Sequence, residues 1–205
     1  MCDARTVDKA QMSDTIYPDW LTSTLASDAT GGRNVLPEWI CALKPNSLVV
    51  GPAFVVLAAH EDNLAVVQAL KKSLPQSCVM VVAGMNTSST ATIGGLMGLE
   101  IQNMGIVGLV SDGLVRDAQE IRKLDLQVWC RGVTPIASQK ISEGATGIPV
   151  AFGGVTVRDG DLVIADDDGV VIWQKEHIEE LLVKARAKFD SDNLRLEKLL
   201  AQARK

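Results

Sequence analysis

Histidine is nearly missing from this chain. Only His60 and His177 occur, and neither stands beside a Ser or Cys motif, so neither reads as a catalytic base. Paired cysteines are missing too. Cys2, Cys41, Cys78 and Cys130 form no Cys-x-x-Cys and no zinc-like spacing, which leads us to expect reduced, mostly buried thiols and a cytoplasmic protein. Positive charge is in deficit: 20 Lys+Arg against 25 Asp+Glu leave a net charge of −5 and a pI of about 5.1. Without a broad basic footprint, nucleic acid is not expected as a partner. An anionic ligand would have to be drawn by local positive charge. No apolar run exceeds strand length, so no membrane span is expected. The N-terminus carries Asp3, Asp8 and Asp14 and no apolar stretch, which does not suit a secretory signal. No glycine-rich segment fits a P-loop or dinucleotide fingerprint, and no methyl-donor motif stands out.

What is present is a globular composition. With 205 residues, 47% hydrophobic and 22% charged, the chain suits a single domain over residues 1–205 with a sizeable core. Residues 1 to about 18 are polar and suit an arm. Pro18-Asp19-Trp20 predicts a helix with Leu21, Leu25 and Ala26 on one face, ended by Gly31-Gly32. Residues 48–59 suit a buried strand broken near Gly51-Pro52. Asp62 or Asn63 can cap a helix to about Ser73, and residues 78–83 form an apolar strand. A helix from about Ala91 through Met104, a strand at 106–110, a short helix at 115–124 and a strand at 126–130 follow. This alternation predicts parallel strands with crossover helices.

Beyond Arg131 the pattern alternates around Arg158-Asp159-Gly160, a hairpin signal between residues 148–157 and 161–164. Asp166-Asp167-Asp168-Gly169 suits a charged turn, since the spacing and terminal Glu of a calcium loop are absent. From about 176 to 205 the chain is a predicted helical extension. Ile178, Leu181, Leu182, Ala185 and Phe189 make one stripe, and Leu194, Leu196, Leu199 and Leu200 another after a break at Asp190-Ser191-Asp192. Such stripes need a surface, either the chain's own core or a neighbouring subunit.

The chemistry concentrates between Gly95 and Glu120. Gly95-Leu96-Met97 near a helix start can offer backbone N–H groups to a carboxylate, or the pair Gly94-Gly95 can let helix and strand pack tightly. Arg116 is a planar fork suited to a carboxylate, and Asp117 is a hard oxygen ligand. The alternative is that Asp117 favours a helix N-terminus and Arg116 caps a neighbouring loop. Set adjacent in a helix, the two would point about 100° apart and would not mainly pair with each other, although at the first turn after a strand both can reach one pocket. Glu120 shares a helix face with Asp117; it either holds a metal-bound water or is a solvated carboxylate near Arg122 or Lys123. Asp112 suits a turn. The loop Thr87-Ser88-Ser89-Thr90 either lines a pocket or caps the helix expected at Ala91.

Gly95, twenty residues, then Arg116-Asp117-x-x-Glu120 resembles the signature of the metal-dependent 4-hydroxy-4-methyl-2-oxoglutarate aldolase family. That family also contains the regulators of ribonuclease activity, and its members are often mislabelled demethylmenaquinone methyltransferases. Val50-Gly51-Pro52-Ala53, Arg131-Gly132-Val133-Thr134-Pro135, Gly153-Gly154-Val155-Thr156-Val157, Gly160-Asp161-Leu162-Val163 and Asp168-Gly169-Val170-Val171 follow in the family order. The resemblance implies an α/β fold, a swivelling β/β/α domain with mixed sheets and helical N- and C-terminal extensions. It also implies a homotrimer or a hexamer of two trimers with sites at subunit boundaries.

The activity implied is that of a class II aldolase, a lyase needing Mg²⁺ or Mn²⁺. Asp117 would bind the metal, with Glu120 reaching it through water. Arg116 and the amides of Gly95, Leu96 and Met97 would hold a short 2-oxo carboxylic acid. Retro-aldol cleavage to pyruvate and decarboxylation of oxaloacetate pass through one enolate. No lysine is implicated, so no Schiff base is expected. Two positions depart from the aldolase pattern: Gly95 and Ala83 stand where acidic residues are usual. They suit the alternative, a non-catalytic regulator that acts by protein–protein contact.

Overall fold

Five consecutive apolar residues, Val79–Ala83, form a strand with every side chain buried. A strand without a polar face must be covered on both sides, and the fold is built around that need. The computed structural model describes residues 17–203; the predicted arm lies, up to residue 16, outside the described residues. In chain order the elements are α1 (Ser23–Thr30), β1 (Cys41–Ala42), β2 (Leu48–Leu57), α2 (Leu64–Ala69), β3 (Val79–Ala83), β4 (Ala91–Ile93) and α3 (Gly95–Asn103). Next come β5 (Gly108–Ser111), β6 (Leu114–Val115), α4 (Ala118–Ile121), β7 (Gln127–Cys130), β8 (Gly132–Val133) and β9 (Ala145–Thr146). Last are β10 (Val150–Phe152), β11 (Val155–Val157), β12 (Leu162–Asp166), β13 (Gly169–Trp173) and α5 (Ile178–Ala203).

The main sheet runs β1-β7-β5-β3-β2-β12-β13, with β9 added on β2. Strands β2, β3, β5 and β7 are parallel; β1, β9, β12 and β13 join antiparallel. The mixed α/β architecture implied by the resemblance is therefore the one observed. β2 is not broken at Gly51-Pro52. It changes partner there: its first half, to Pro52, pairs with β12 and its second half, from Ala53, with β3. Gly51 makes this possible, because a Cβ there would lie 2.7 Å from the Ser77 carbonyl oxygen.

A second, smaller sheet has the order β4-β6-β8, all parallel. Each of its strands follows a main-sheet strand in sequence: β4 follows β3, β6 follows β5, and β8 follows β7. Asp112, between β5 and β6, ties that connection to the one between β3 and β4 by accepting from the amides of Gly84 and Met85 at 2.8 Å each, and the Thr92–Ser111 hydroxyl pair at 2.9 Å joins β4 of the small sheet to β5 of the main one. Burial pushes the Asp112 carboxyl up, against those two amides and the Arg131 charge, which pull it down.

Several predicted elements differ. Residues 91–93 form a strand rather than the start of a helix, and Leu114–Val115 a strand rather than helix, because β4 and β6 pair with each other. The Asp159-Gly160 turn does not close a hairpin. Asp159 Oδ1 accepts from the Val55 amide (2.7 Å) and Gly160 donates to the Ala53 carbonyl (2.9 Å), so the turn is tied to β2. β11 pairs with β10 instead. Helix α1 starts at Ser23, not near Pro18, because the Thr22 hydroxyl caps the Leu25 amide. Helix α2 ends at Ala69, short of Ser73. Helix α5 runs through Asp190-Ser191-Asp192 without a break, carried by the i,i+4 pairs Arg186–Asp190 and Lys188–Asp192. The Asp166–Asp168 segment is a turn whose carboxylates accept from Ser23, Asn46, Ser47 and Asp168 amides.

The core has two faces and an annex. Met80, Ile101, Leu109 and Ile121 pack beneath the helices on one side of the sheet; Val81, Val110, Trp129 and Ile172 fill the other. α1 and the first half of α5 close over Leu162 and Trp173. Among the described residues no helix is long and apolar enough to cross a membrane.

Candidate functional site

The small sheet sets where the predicted site residues sit. In open α/β sheets ligands gather beyond the carboxyl ends of parallel strands. Here β4 ends into Gly94-Gly95, and β6 ends into Arg116-Asp117. The Arg116 amide donates to the Ile93 carbonyl at 3.0 Å, which fixes the two strand ends side by side.

Asp117 has a left-handed backbone, φ 54° and ψ 43°, a conformation that Asp tolerates better than most residues. This turn aims its carboxylate back at α3, where Oδ2 accepts from the Gly95 amide at 3.1 Å. Arg116 Nε lies 3.7 Å from the same oxygen, with both side chains nearly half exposed. The expectation that Arg116 and Asp117 would diverge is therefore corrected. It assumed a helix through both, and the left-handed residue removes that helix.

The glycine pair is a close-approach site. A Cβ on Gly94 would sit 2.7 Å from Asp117 Oδ2 and 2.9 Å from Arg116 Nε. A Cβ on Gly95 would meet Glu120 Cβ at 3.0 Å and Asp117 Cβ at 3.4 Å. The tight-packing reading of the glycines thus holds. The Gly95 amide, expected to face a substrate carboxylate, is engaged by Asp117 instead. The helical bonding of α3 begins with the Gly98 amide to the Gly94 carbonyl, 2.9 Å, so the amides of Leu96 and Met97 remain at the open first turn.

A cavity of about 370 Å³ opens here. Of the predicted residues, Leu96, Met97, Arg116 and Asp117 line it, and Gly95 and Glu120 do not. Four further polar lining residues were not expected at the site from the sequence: Asn63, read only as a possible helix cap, and Glu100, Ser138 and Lys140. Glu100 stands four residues after Leu96, on the same helix face, and that spacing could have exposed it. Asn63 and Lys140 come from distant segments and carry no local signal. The Thr87–Thr90 loop neither lines the cavity nor caps a helix. It leads into β4, and Arg131 Nη2 donates to the Ser88 carbonyl.

Asp62 holds Lys140 in place. Its Oδ2 accepts from the amides of Ile141 (2.7 Å) and Ser142 (2.9 Å), and its Oδ1 from Leu64 (2.8 Å). The Asn63 amide donates to the Gln139 carbonyl (3.0 Å). Burial, the largest single influence, pushes the Asp62 carboxyl up. The three amides and the Lys140 charge outweigh it and bring the carboxyl below its ordinary range. Asn63 itself donates to the Thr92 carbonyl (2.8 Å), and its Oδ1 is buried without a partner.

Ala83 is buried at the end of β3, so no carboxylate enters from that strand. Among the described residues no group of three His, Cys, Asp or Glu side chains converges as a metal cluster would.

The chain is similar to the "Putative 4-hydroxy-4-methyl-2-oxoglutarate aldolase" of Halalkalibacterium halodurans, 37% identical over 175 residues that cover 85% of this chain and 83% of that relative. It is also similar to a solved structure from Streptomyces coelicolor described as an unusual member of the RNase ES inhibitor RraA protein family. There the TM-score is 0.75 and the identity 28%, over 88% of this chain and 93% of that one. A Geobacillus kaustophilus structure described as an S-adenosylmethionine:2-dimethylmenaquinone methyltransferase matches with a TM-score of 0.69 and 29% identity, over 76% and 96% of the two chains. That label agrees with the mislabelling expected of the family. The family model described as RraA-like, Aldolase/RraA, matches residues 3–172, and with the fold and the ordered motifs this places the chain in the RraA-like family.

Proposed function

We propose that this protein is a divalent-metal-dependent lyase that cleaves a short 2-oxo dicarboxylic acid to pyruvate by a retro-aldol reaction. The observation that carries the reading is the cavity itself. Arg116, Lys140 and the first-turn amides of Leu96 and Met97 border one space, together with the carboxylates of Asp117 and Glu100. Two cations lining one cavity suit a substrate with two carboxylates. The relative from Halalkalibacterium halodurans bears an aldolase name, which supports the same reaction class.

The donor set suits Mg²⁺ or Mn²⁺. Gly95 and Arg116 both address Oδ2 of Asp117, leaving Oδ1 for a cation, and such ions keep several waters and need only one or two carboxylates. Asp117 would hold the ion directly and Glu120 through water. A bound ion would supply Lewis acidity at the 2-oxo carbonyl. Arg116 forks onto the adjacent carboxylate and faces the negative charge that develops when the C3–C4 bond breaks. The Leu96 and Met97 amides orient that carboxylate, and Lys140 holds the distal one. Oxaloacetate decarboxylation develops charge at the same place, so one site serves both. We further propose a homotrimer or hexamer with the cavity at a subunit boundary. Leu96 and Ile141, beside the cavity, are 83% and 76% exposed, apolar surface that a neighbouring subunit would cover.

A second reading is favoured by Ala83 and Gly95, where side-chain carboxylates are missing. It is a regulator acting by protein contact, as the description of the Streptomyces coelicolor relative suggests for that protein. The test is pyruvate release from 4-hydroxy-4-methyl-2-oxoglutarate and from oxaloacetate, with Mg²⁺ or Mn²⁺ and then with chelator. We expect turnover that needs metal and falls at least about 100-fold, roughly 2.7 kcal/mol, in Asp117→Ala. A folded protein with no turnover and no metal-dependent thermal shift would decide for the regulator.

A further inference from the structure

Two thiols face each other across the edge of the main sheet, away from the cavity. β1 pairs antiparallel with β7, and Cys41 is the direct partner of Cys130. The Leu43 amide donates to the Val128 carbonyl at 2.8 Å. Pairs alternate along an antiparallel ladder, so two residues further on Cys41 and Cys130 form a hydrogen-bonded pair with a Cα separation of about 5.5 Å. A disulfide spans Cα distances of roughly 4.4–6.8 Å.

The side chains share one face. Cys130 packs with Val128 in the cluster that also contacts Leu43, whereas Ala42 and Trp129 pack on the opposite face. By the two-residue period of a strand, Cys41 lies with Leu43 and therefore with Cys130. Cys41 is exposed and Cys130 buried. Burial pushes the Cys130 thiol up to about 11, the nearby Cys41 adds to this, and the Arg122 cation opposes it. Arg122 is anchored over the pair by its Nε bond to the Leu43 carbonyl, 2.9 Å. Among the described residues each sulfur otherwise makes a weak 3.4 Å bond, Cys41 to the Glu38 carbonyl and Cys130 to the Gly132 carbonyl, so little is lost when the thiols turn toward each other.

We propose that Cys41 and Cys130 are a cross-strand thiol pair that a hydroperoxide converts into an intrachain disulfide. The exposed Cys41, as thiolate, attacks the peroxide oxygen; the O–O bond breaks, and the alcohol (water, for hydrogen peroxide) leaves. Cys130 then attacks the Cys41 sulfenic sulfur, loses its proton and expels water, closing the S–S bond. The sum is two thiols and one hydroperoxide giving one disulfide, one alcohol and one water. Cys41 is the oxidant-sensing thiol because it is accessible, and Cys130 resolves because the register sets it directly opposite.

The test uses the full chain. Hydrogen peroxide is added, free thiols are alkylated in denaturant, and peptides are mapped by mass spectrometry with and without dithiothreitol. We expect a dithiothreitol-sensitive Cys41–Cys130 peptide in a monomeric chain on a non-reducing gel. The denaturant midpoint of the oxidised wild type should rise above its reduced form, with no rise in Cys41→Ser. Because Cys130→Ser changes a buried site, the exposed Cys41→Ser variant carries the comparison. Cys41 driven to sulfinic or sulfonic acid with Cys130 still alkylatable would overturn the proposal. So would Cys41 bridged to Cys2, to Cys78 or to a second chain.

Discussion

At the scale of single residues, the site depends on a missing side chain. Gly94 leaves the space that Arg116 and Asp117 occupy, and the atoms a new Cβ would strike are side-chain atoms, Asp117 Oδ2 and Arg116 Nε and Cγ, rather than backbone. Gly94→Ala should therefore fold, with a melting temperature within about 3 °C of wild type, which corresponds to roughly 1 kcal/mol at this chain length. Its turnover on 2-oxo acids should fall at least about tenfold, because the two functional groups are pushed off their positions. A thermal melt and a pyruvate assay on the same sample check both halves. Normal turnover would show that Arg116 and Asp117 are not where the chemistry happens. The contrast is Gly84, where a Cβ would lie 2.2 Å from the Ala58 carbonyl and φ is +101°. There the clash is with backbone, and a change damages folding itself.

Elements matter through how loops are tied down. The segment that brings Ser138 and Lys140 to the cavity has no regular structure of its own; Asp62 and the Asn63 amide strap it to the start of α2. Asp62→Ala should raise amide exchange at Ile141 and Ser142, raise KM more than it lowers kcat, and lower the melting temperature by several degrees. Asp62→Asn, which keeps an acceptor oxygen, should do less. The pH dependence has a definite sign. The folded carboxyl lies below its ordinary range, so its contribution to stability is present above the unfolded value and is lost as pH falls through the folded one. Acid should loosen the Lys140 loop before the sheet melts, which hydrogen exchange followed by mass spectrometry at falling pH would detect. Asp112 has the opposite sign: its carboxyl is raised by burial, so acid relieves rather than removes its contribution.

For the whole molecule, the second half of α5 presents an uncovered apolar stripe. Its first half seals the core through Leu181 and Ala185, and Trp20 stacks on Phe189 at 5.3 Å between centroids. Beyond Asp190 every described residue of the helix is exposed, including Leu196, Leu199 and Leu200. These three continue the stripe of Ile178, Leu182 and Ala185 around the helix. Deleting residues 191–205 should leave the melting temperature of the domain within a few degrees and reduce the assembled mass in light scattering. A particle mass unchanged beyond the deleted residues would show that this helix end holds no subunits together.

Much of this could be read from residue order alone. The apolar run of β3 required a strand covered on both faces, the alternation of strands and helices required parallel pairing, and the Gly95 to Glu120 spacing pointed to the family and to Arg116 and Asp117. These are local or ordered signals, and they survive folding because burial and backbone geometry act on neighbours in sequence. The short strand β4 was not legible: Ala91–Ile93 continues a helical pattern, and only pairing with β6 makes it a strand. The direction of the Asp117 carboxylate rests on one left-handed residue, a choice made by the strand ends on either side. Lys140, Asn63 and the Cys41–Cys130 register join residues far apart in the chain. Sequence determined the sheet, the family motifs and the two charged residues at the site. Tertiary structure alone decided which distant cation faces them and which thiols meet, because side-chain proximity across strands and loops depends on register and loop closure, and neither has a local code.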